Sequence, residues 1–340
     1  MRVTRTGSVR VDLVGGTLDI DPINLILPNA FTLNVATSLK AKVTLESSDR
    51  EGVEIVSEDY NKTYYYSQSQ LTDPLDTDIY QEMSFVIQLL SSMNLLTNIK
   101  LTLSSGAPAG SGLGGSSAMG ITIFKAICDF KKIEMEPEKI LSIVKAIESR
   151  ILNKGTTGYQ DYYPALFGGV LALKPSVKGI EREQLYSLEL KNFLESNITL
   201  IYSGISRNSG INNWDVYKRF FDNHAETKNA LSSIAKLSFE TYEAIKRSDF
   251  TQILDLIGLE GEQRKTLAPT IVPSEVESFF TMAKKIEGVH GMKMCGAGGG
   301  GCFIITHEAD LKDQLKVLIS EQGFKHLDFQ ISAPMASYES

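Results

Sequence analysis

The run from Gly106 to Gly120, GAPAGSGLGGSSAMG, gathers the residue types that hold an anion. Glycines at 106, 110, 112, 114, 115 and 120 let the backbone curl until successive N–H groups face one concavity. A helical pattern follows at once, with Met119, Ile123, Ile127 and Phe130 recurring every three or four residues. A helix starting near Ser116 adds the positive end of its dipole, and the combination suits phosphate. Far away in sequence, Cys295 to Cys302 (CGAGGGGC) offers similar chemistry. Two glycine-rich anion loops in one acidic chain point to a nucleotide-dependent enzyme.

Other uses of such loops fit less well. Gly110, Gly112 and Gly115 match GxGxxG, yet they lie a third of the way along the chain rather than after its first strand. No Gly-Lys-Ser/Thr follows, so this is not a Walker loop, and the helical sequel separates it from the hairpin loop of protein kinases. A glycine-rich turn without a ligand stays open for the first loop, and a flexible hairpin turn for the second.

One carboxylate stands out. Between Pro137 and Asn153 a helical stripe of Ile140, Ile143, Val144, Ile147 and Ile151 runs on one face, and Glu148 falls between Val144 and the pair Leu141 and Leu152. A carboxylate among apolar neighbours is costly unless paired or metal-bound. A salt-bridged glutamate at the stripe edge and a functional one are both compatible with the pattern.

The positioning elements can be read more coarsely. Val9 to Val14 alternates as a strand with Arg10 and Asp12 on one face. Phe31 to Leu45 holds two strand-like stretches, Gly52 to Val56 another, and Ile99 to Leu103 enters the first glycine loop. Residues 57–80 are polar, tyrosine-rich and without a clear period, and are expected to form an excursion or mobile flap. Glu82 to Met93, Asn212 to Arg247 and Glu275 to Ile286 are expected helices; the strands Met292 to Met294 and Phe303 to Thr306 flank the second glycine loop.

At 340 residues the chain has room for about two domains with their own cores. A net charge of −7 argues against a nucleic-acid partner, which needs a basic face, but not against a nucleotide. Cys128, Cys295 and Cys302 form no CxxC pair, as expected of a reducing compartment. No apolar run approaches the ~20 residues of a membrane span, and the N-terminus lacks a signal-like apolar stretch, so the expected location is the cytoplasm, with no membrane partner. Four histidines (224, 290, 307 and 326) lie at no metal-ligand spacing.

Three motifs, in order, resemble those of the GHMP kinase superfamily: Ser8 to Asp19 (SVRVDLVGGTLD), Pro108 to Ala118 (PAGSGLGGSSA) and Lys293 to Cys302 (KMCGAGGGGC). Within it, GYQDYYPALFGG (Gly158 to Gly169) and GISRNS (Gly204 to Ser209) are similar to segments of bacterial heptose 7-phosphate kinases, and GGTLD (Gly15 to Asp19) to the turn of fucose kinases. The Glu-His-Thr-Asp turn of galactokinases is absent, as is the mevalonate-type Gly-Val-Asp-Asn around the catalytic Asp.

The resemblance implies an α+β, two-domain fold: a ribosomal-S5-like N-terminal domain over 1–190 and a ferredoxin-like C-terminal domain over 191–340, with the site in the cleft between. It implies ATP held by Pro108, Gly110, Gly112, Leu113, Gly114, Gly115, Ser116 and Ser117, with Gly296, Gly298 and Gly299 closing over the nucleotide. Ser117 and Glu148 would bind Mg²⁺, a hard cation that takes oxygen ligands. Asp161 matches the catalytic Asp and Arg10 its basic neighbour, although Arg10 could also be an exposed strand charge. Asp19, with Gly16 and Thr17, would hold the substrate, although Asp19 could instead cap a turn. The expected reaction is phosphorylation of a sugar or sugar phosphate at its anomeric hydroxyl. An isoprenoid or amino-acid alcohol kinase of the same fold and a non-catalytic nucleotide- and sugar-binding regulator are the alternatives, and either a monomer or a homodimer fits.

Overall fold

The computed structural model describes residues 1–152, 157–205 and 209–335, with only the backbone for 209–212. Seven strands form the first sheet: β1 (Arg2–Val14), β2 (Thr32–Ser47), β3 (Val53–Ser57), β4 (Lys62–Tyr66), β5 (Ile99–Ser105), β6 (Val170–Ser176) and β7 (Gly179–Gln184). The long β2 is its hub. One edge carries β1 along its length; on the other, Ala41–Ser47 pairs with β5 and Thr32–Val35 with β6. Only the β3–β5 pairing is parallel. The register of β1 on β2 slips between Ser8 and Arg10 and again between Asp12 and Val14. Such irregularities re-aim side chains, and here they bracket Arg10 and Asp12.

The helix Gly115–Lys131 packs on β1 and β2, and Ser84–Ser92 and Pro137–Leu152 pack on it in turn. Ile140, Val144 and Ile147 are buried along the face of Pro137–Leu152 that turns inward.

The second sheet holds β8 (Ile198–Tyr202), β9 (Val289–Met294), β10 (Cys302–His307) and β11 (Lys325–Leu327) in the order β11-β8-β10-β9, with every pair antiparallel. That is the ferredoxin-like order, with the crossover after β8 expanded into helices Ser209–Phe221, Ala225–Lys246, Phe250–Lys265 and Ser274–Ala283. The sheets fall on either side of residue 190, yet one apolar cluster joins Leu171 and Leu173 of the first to Leu200 and Ile304 of the second. The chain end also crosses back: Gly169 donates its N–H to Ser332 O at 2.9 Å and Ser332 to Ala36 O at 2.8 Å.

Two expectations change. Residues 57–80 form no free flap: β3 and β4 pair as a hairpin, and Tyr66 and Tyr80 are buried edge to face with centroids 5.2 Å apart. The alternation that makes β4 was hidden by its tyrosines and polar neighbours. The single helix expected over 212–247 is two, because Asn223 turns left-handed (φ 59) and the ring of His224 accepts the Thr227 N–H as a new N-cap. The helices Leu188–Asn197 and Phe250–Lys265 and the strand β7 add to the elements expected from the sequence.

Candidate active site

The first glycine loop leads from β5 into the helix Gly115–Lys131. Gly110, Gly112 and Gly114 all have positive φ (67, 77 and 72), and Gly114 is the left-handed N-cap residue. Pro108 closes the turn by accepting the Ser111 N–H at 3.1 Å, and buried Leu113 gives its carbonyl to the Arg10 N–H at 3.0 Å. Among the described residues, no protein acceptor takes the N–H groups of Gly112, Leu113, Gly114, Gly115, Ser116 or Ser117. Six uncommitted donors around a helix N-terminus make an anion cradle.

The second loop lies against the first. Cys302 donates its N–H to Ser111 O at 2.6 Å, and a Cβ on Gly301 would stand 2.5 Å from that same oxygen. Three of its own donors are committed: Gly296 N–H to Asp12 Oδ1 at 2.9 Å, Gly299 N–H to Ile271 O at 2.7 Å and Gly301 N–H to Ile205 O at 2.8 Å. Gly298 sits where a Cβ would meet Ile271 O at 2.6 Å. Those three N–H groups are therefore not free for an anion, contrary to the expectation of a second anion loop. The glycines here permit close backbone approach.

Asp161 lies at the mouth of the cradle, its side chain 33% exposed; a Cβ on Gly114 would stand 3.1 Å from the Asp161 Cβ and Cγ. Arg10, only 2% exposed, grips it: Nε to Oδ1 at 2.8 Å and Nη2 to Oδ1 at 2.6 Å, while Nη1 donates to Gly112 O at 2.5 Å. Arg10 is thus a buried link between Asp161 and the loop, not an exposed strand charge. Burial works against its positive form, but the charges of Asp161 and Asp12 outweigh that and raise its pKa.

Behind this pair runs a charge network that sequence reasoning left without a role. Asp12 is fully buried; its Oδ1 lies 3.3 Å from Arg10 Nη1, and its Oδ2 meets the Lys293 ammonium. Burial alone would raise the Asp12 carboxyl, but Lys293, Arg10 and Arg264 hold it well below the usual carboxylate range. Arg264 pairs with Glu260 one turn away at 2.5 Å, and Glu260 Oε1 accepts the Gly15 N–H at 3.2 Å. Both sit on Phe250–Lys265, whose Gly258 and Gly261 bring it backbone to backbone with β9. The available signals were the shared face of Arg10 and Asp12, the i,i+4 spacing of Glu260 and Arg264, and the two glycines three apart.

Glu148 is buried, and its Oε2 accepts from Ser117 Oγ and from Tyr162 OH, each at 2.8 Å. Burial raises its pKa, partly offset by the hydroxyls of Ser116, Tyr162 and Ser117. A buried carboxylate with hydroxyl partners and, among the described residues, no basic one is a fit place for a hard divalent cation. Among the described residues no cluster of three or more His, Cys, Asp or Glu is arranged to hold a metal, so Mg²⁺ at Ser117 and Glu148 would complete its shell with phosphate oxygens and water.

Asp19 is buried beside the segment carrying Asp161, where its Oδ2 accepts the Gln160 N–H at 2.8 Å. A Cβ on Gly158 would collide with this carboxylate. Burial pushes the Asp19 pKa up to about 6; the Gln160 N–H opposes the shift and Asp161 adds to it. Gly16 and Thr17 turn their polar groups to the protein: Arg264 donates to Gly16 O at 2.7 Å and to Thr17 Oγ1 at 3.3 Å. Thr17 holds a left-handed φ of 77 there.

Comparison with known proteins gives this geometry a lineage. The sequence matches the family descriptions "GHMP kinases N terminal domain" over residues 81–169 and "GHMP kinases C terminal" over 241–322, together just over half of the chain. It is 26% identical over 334 residues to D-glycero-alpha-D-manno-heptose 7-phosphate kinase of Campylobacter jejuni, covering 95% of each chain. It is also 26% identical to L-fucokinase/L-fucose-1-P guanylyltransferase of Bacteroides fragilis, covering 93% of this chain but 36% of that protein, so it spans about a third of that relative's length. In three dimensions it superposes on Lactococcus lactis galactokinase with a TM-score of 0.76 at 14% identity, over 98% of this chain and 95% of that one. No helix among the described residues is long and apolar enough to cross a membrane. The chain belongs to the GHMP kinases and has their two-domain α/β fold.

Proposed function

We propose that the protein is an ATP- and Mg²⁺-dependent sugar kinase of the cytoplasm that transfers the γ-phosphate to the anomeric hydroxyl of a heptose 7-phosphate- or fucose-like substrate. One observation carries this reading: Asp161, gripped by Arg10, stands at the open mouth of the uncommitted N–H cradle, with buried Asp19 close enough to feel its charge. The cradle from Gly112 to Ser117 holds the β- and γ-phosphates, and Ser117 and Glu148 hold Mg²⁺, which neutralises phosphate charge when bound. Asp161 orients the substrate hydroxyl and takes its proton as the oxygen attacks the γ-phosphorus. The bond to the β–γ bridging oxygen then breaks, and ADP leaves. Arg10 keeps the Asp161 carboxylate aimed and faces the developing negative charge.

Asp19 supports a sugar over an isoprenoid. A buried carboxylate can accept from two vicinal hydroxyls, whereas against an apolar substrate it would stay desolvated with backbone N–H donors as its support. The domain boundary belongs near residue 190, between β7 and β8. The test is an ADP-release assay with heptose 7-phosphate, L-fucose, D-galactose, mevalonate and homoserine, with the product's phosphate located by NMR. Phosphate on an anomeric oxygen is the expected result. Turnover of mevalonate or homoserine alone overturns it, and nucleotide binding without any turnover supports the regulator.

A further inference from the structure

Among the described residues, Asp12 meets more charge than any other buried carboxylate, and a Cβ on Gly16 would stand 2.7 Å from its Oδ2. Its Oδ1 accepts the Gly296 N–H at 2.9 Å and lies 3.3 Å from Arg10 Nη1; its Oδ2 meets Lys293, and Arg264 adds a third positive field. Lys293 is itself fully buried, and its remaining contacts are the carbonyls of Asp12 at 3.1 Å and Met294 at 3.3 Å. The two residues belong to different sheets, Asp12 to β1 and Lys293 to β9. Arg10 turns Nε and Nη2 to Asp161, while its Nη1 is shared between Gly112 O and Asp12 Oδ1.

We propose that Asp12 is a positioning residue whose negative charge locks the Arg10 guanidinium against Asp161 and ties that pair to the second glycine loop through Lys293 and Gly296. This rests on the kinase reading of Asp161. Without the Asp12 charge, two buried cations face each other across a neutral group, and Arg10 is pushed off its fork. Misplacement of an orienting group by about 1 Å costs on the order of 10–10² in rate.

The test reads both the protein alone and its turnover. In the free protein, the Arg10 Nε–Hε resonance, assigned by its absence in Arg10→Lys, should exchange slowly with water in the wild type. It should be lost to fast exchange in Asp12→Asn and in the charge-balanced double variant Asp12→Asn/Lys293→Met. The double variant should unfold at a higher temperature than Asp12→Asn. With MgATP and the acceptor sugar, both variants should lose roughly 10–10²-fold in kcat while each KM moves less than about threefold. A double variant with wild-type Arg10 exchange overturns the proposal, as does recovery of kcat in step with stability. Should Asp12→Asn fail to fold, the double variant carries the test. Loss of the Arg10 signal in a protein whose Asp161→Asn variant keeps full kcat would fault the role given to Asp161 and leave the positioning intact.

Discussion

The two glycine loops look alike in sequence and are used in opposite ways. From Gly112 to Ser117 the N–H groups point to no protein acceptor among the described residues, whereas those of Gly296, Gly299 and Gly301 are donated to Asp12, Ile271 and Ile205. Both loops need glycine for positive φ. In the first, glycine leaves a concavity open; in the second, it lets backbone pack on backbone until Gly301 abuts Ser111. Glycine content signals a tight chain path, and the fate of the N–H groups decides whether that path binds a ligand or braces one that does.

The largest expected effect breaks the pairing of cradle and Asp161. Asp161→Asn should lower kcat by at least roughly 10² and leave ATP affinity, measured by titration calorimetry, nearly intact. The brace comes next. Gly301→Ala puts a side chain at φ 75 with its Cβ 2.5 Å from Ser111 O, so urea unfolding should show a loss of about 2–3 kcal/mol. An unchanged midpoint would mean the second loop braces nothing. Glu148→Gln should raise the Mg²⁺ concentration for half-maximal rate by roughly tenfold; wild-type metal dependence would remove Glu148 from the site.

Asp19 sharpens the substrate side. Its folded pKa of about 6 lies above the carboxylate's ordinary value, so the folded state binds the extra proton. Its destabilising contribution is therefore absent at low pH and grows as pH rises from the ordinary carboxylate range through about 6. The ionised form accepts hydroxyl hydrogen bonds more strongly than the neutral acid, so KM for the sugar should climb as pH falls through about 6 while KM for ATP stays flat. Asp19→Asn should abolish that dependence; its persistence in the variant would assign it to another group. The smallest effect returns to the first loop. A Cβ on Gly115 meets nothing within 4 Å, so Gly115→Ala should leave the fold unharmed or gain up to about 1 kcal/mol, yet weaken ATP by intruding on the cradle.

What was legible in the sequence follows from range. The cradle, the Glu148 stripe and the strand carrying Arg10 are local patterns, and each lies where the residues placed it. The contact from Arg10 to Asp161 spans 151 positions and was visible only through resemblance. Asp12 with Lys293, and Arg264 with Gly16 and Gly296, were not legible, because charges buried between two sheets look like ordinary strand and helix charges until the sheets meet. The β3–β4 hairpin was missed because Tyr64, Tyr65 and Tyr66 blur the alternation that the pleat requires.

The opposed use of the two loops is most directly tested by following backbone amides by NMR while a non-hydrolysable ATP analogue and Mg²⁺ are titrated in. The amides from Gly112 to Ser117 should shift most and gain protection from exchange, while those of Gly296, Gly299 and Gly301, already protected in the free protein, should change little. Large shifts confined to Gly296–Gly301, with Gly112–Ser117 unmoved, would contradict the account.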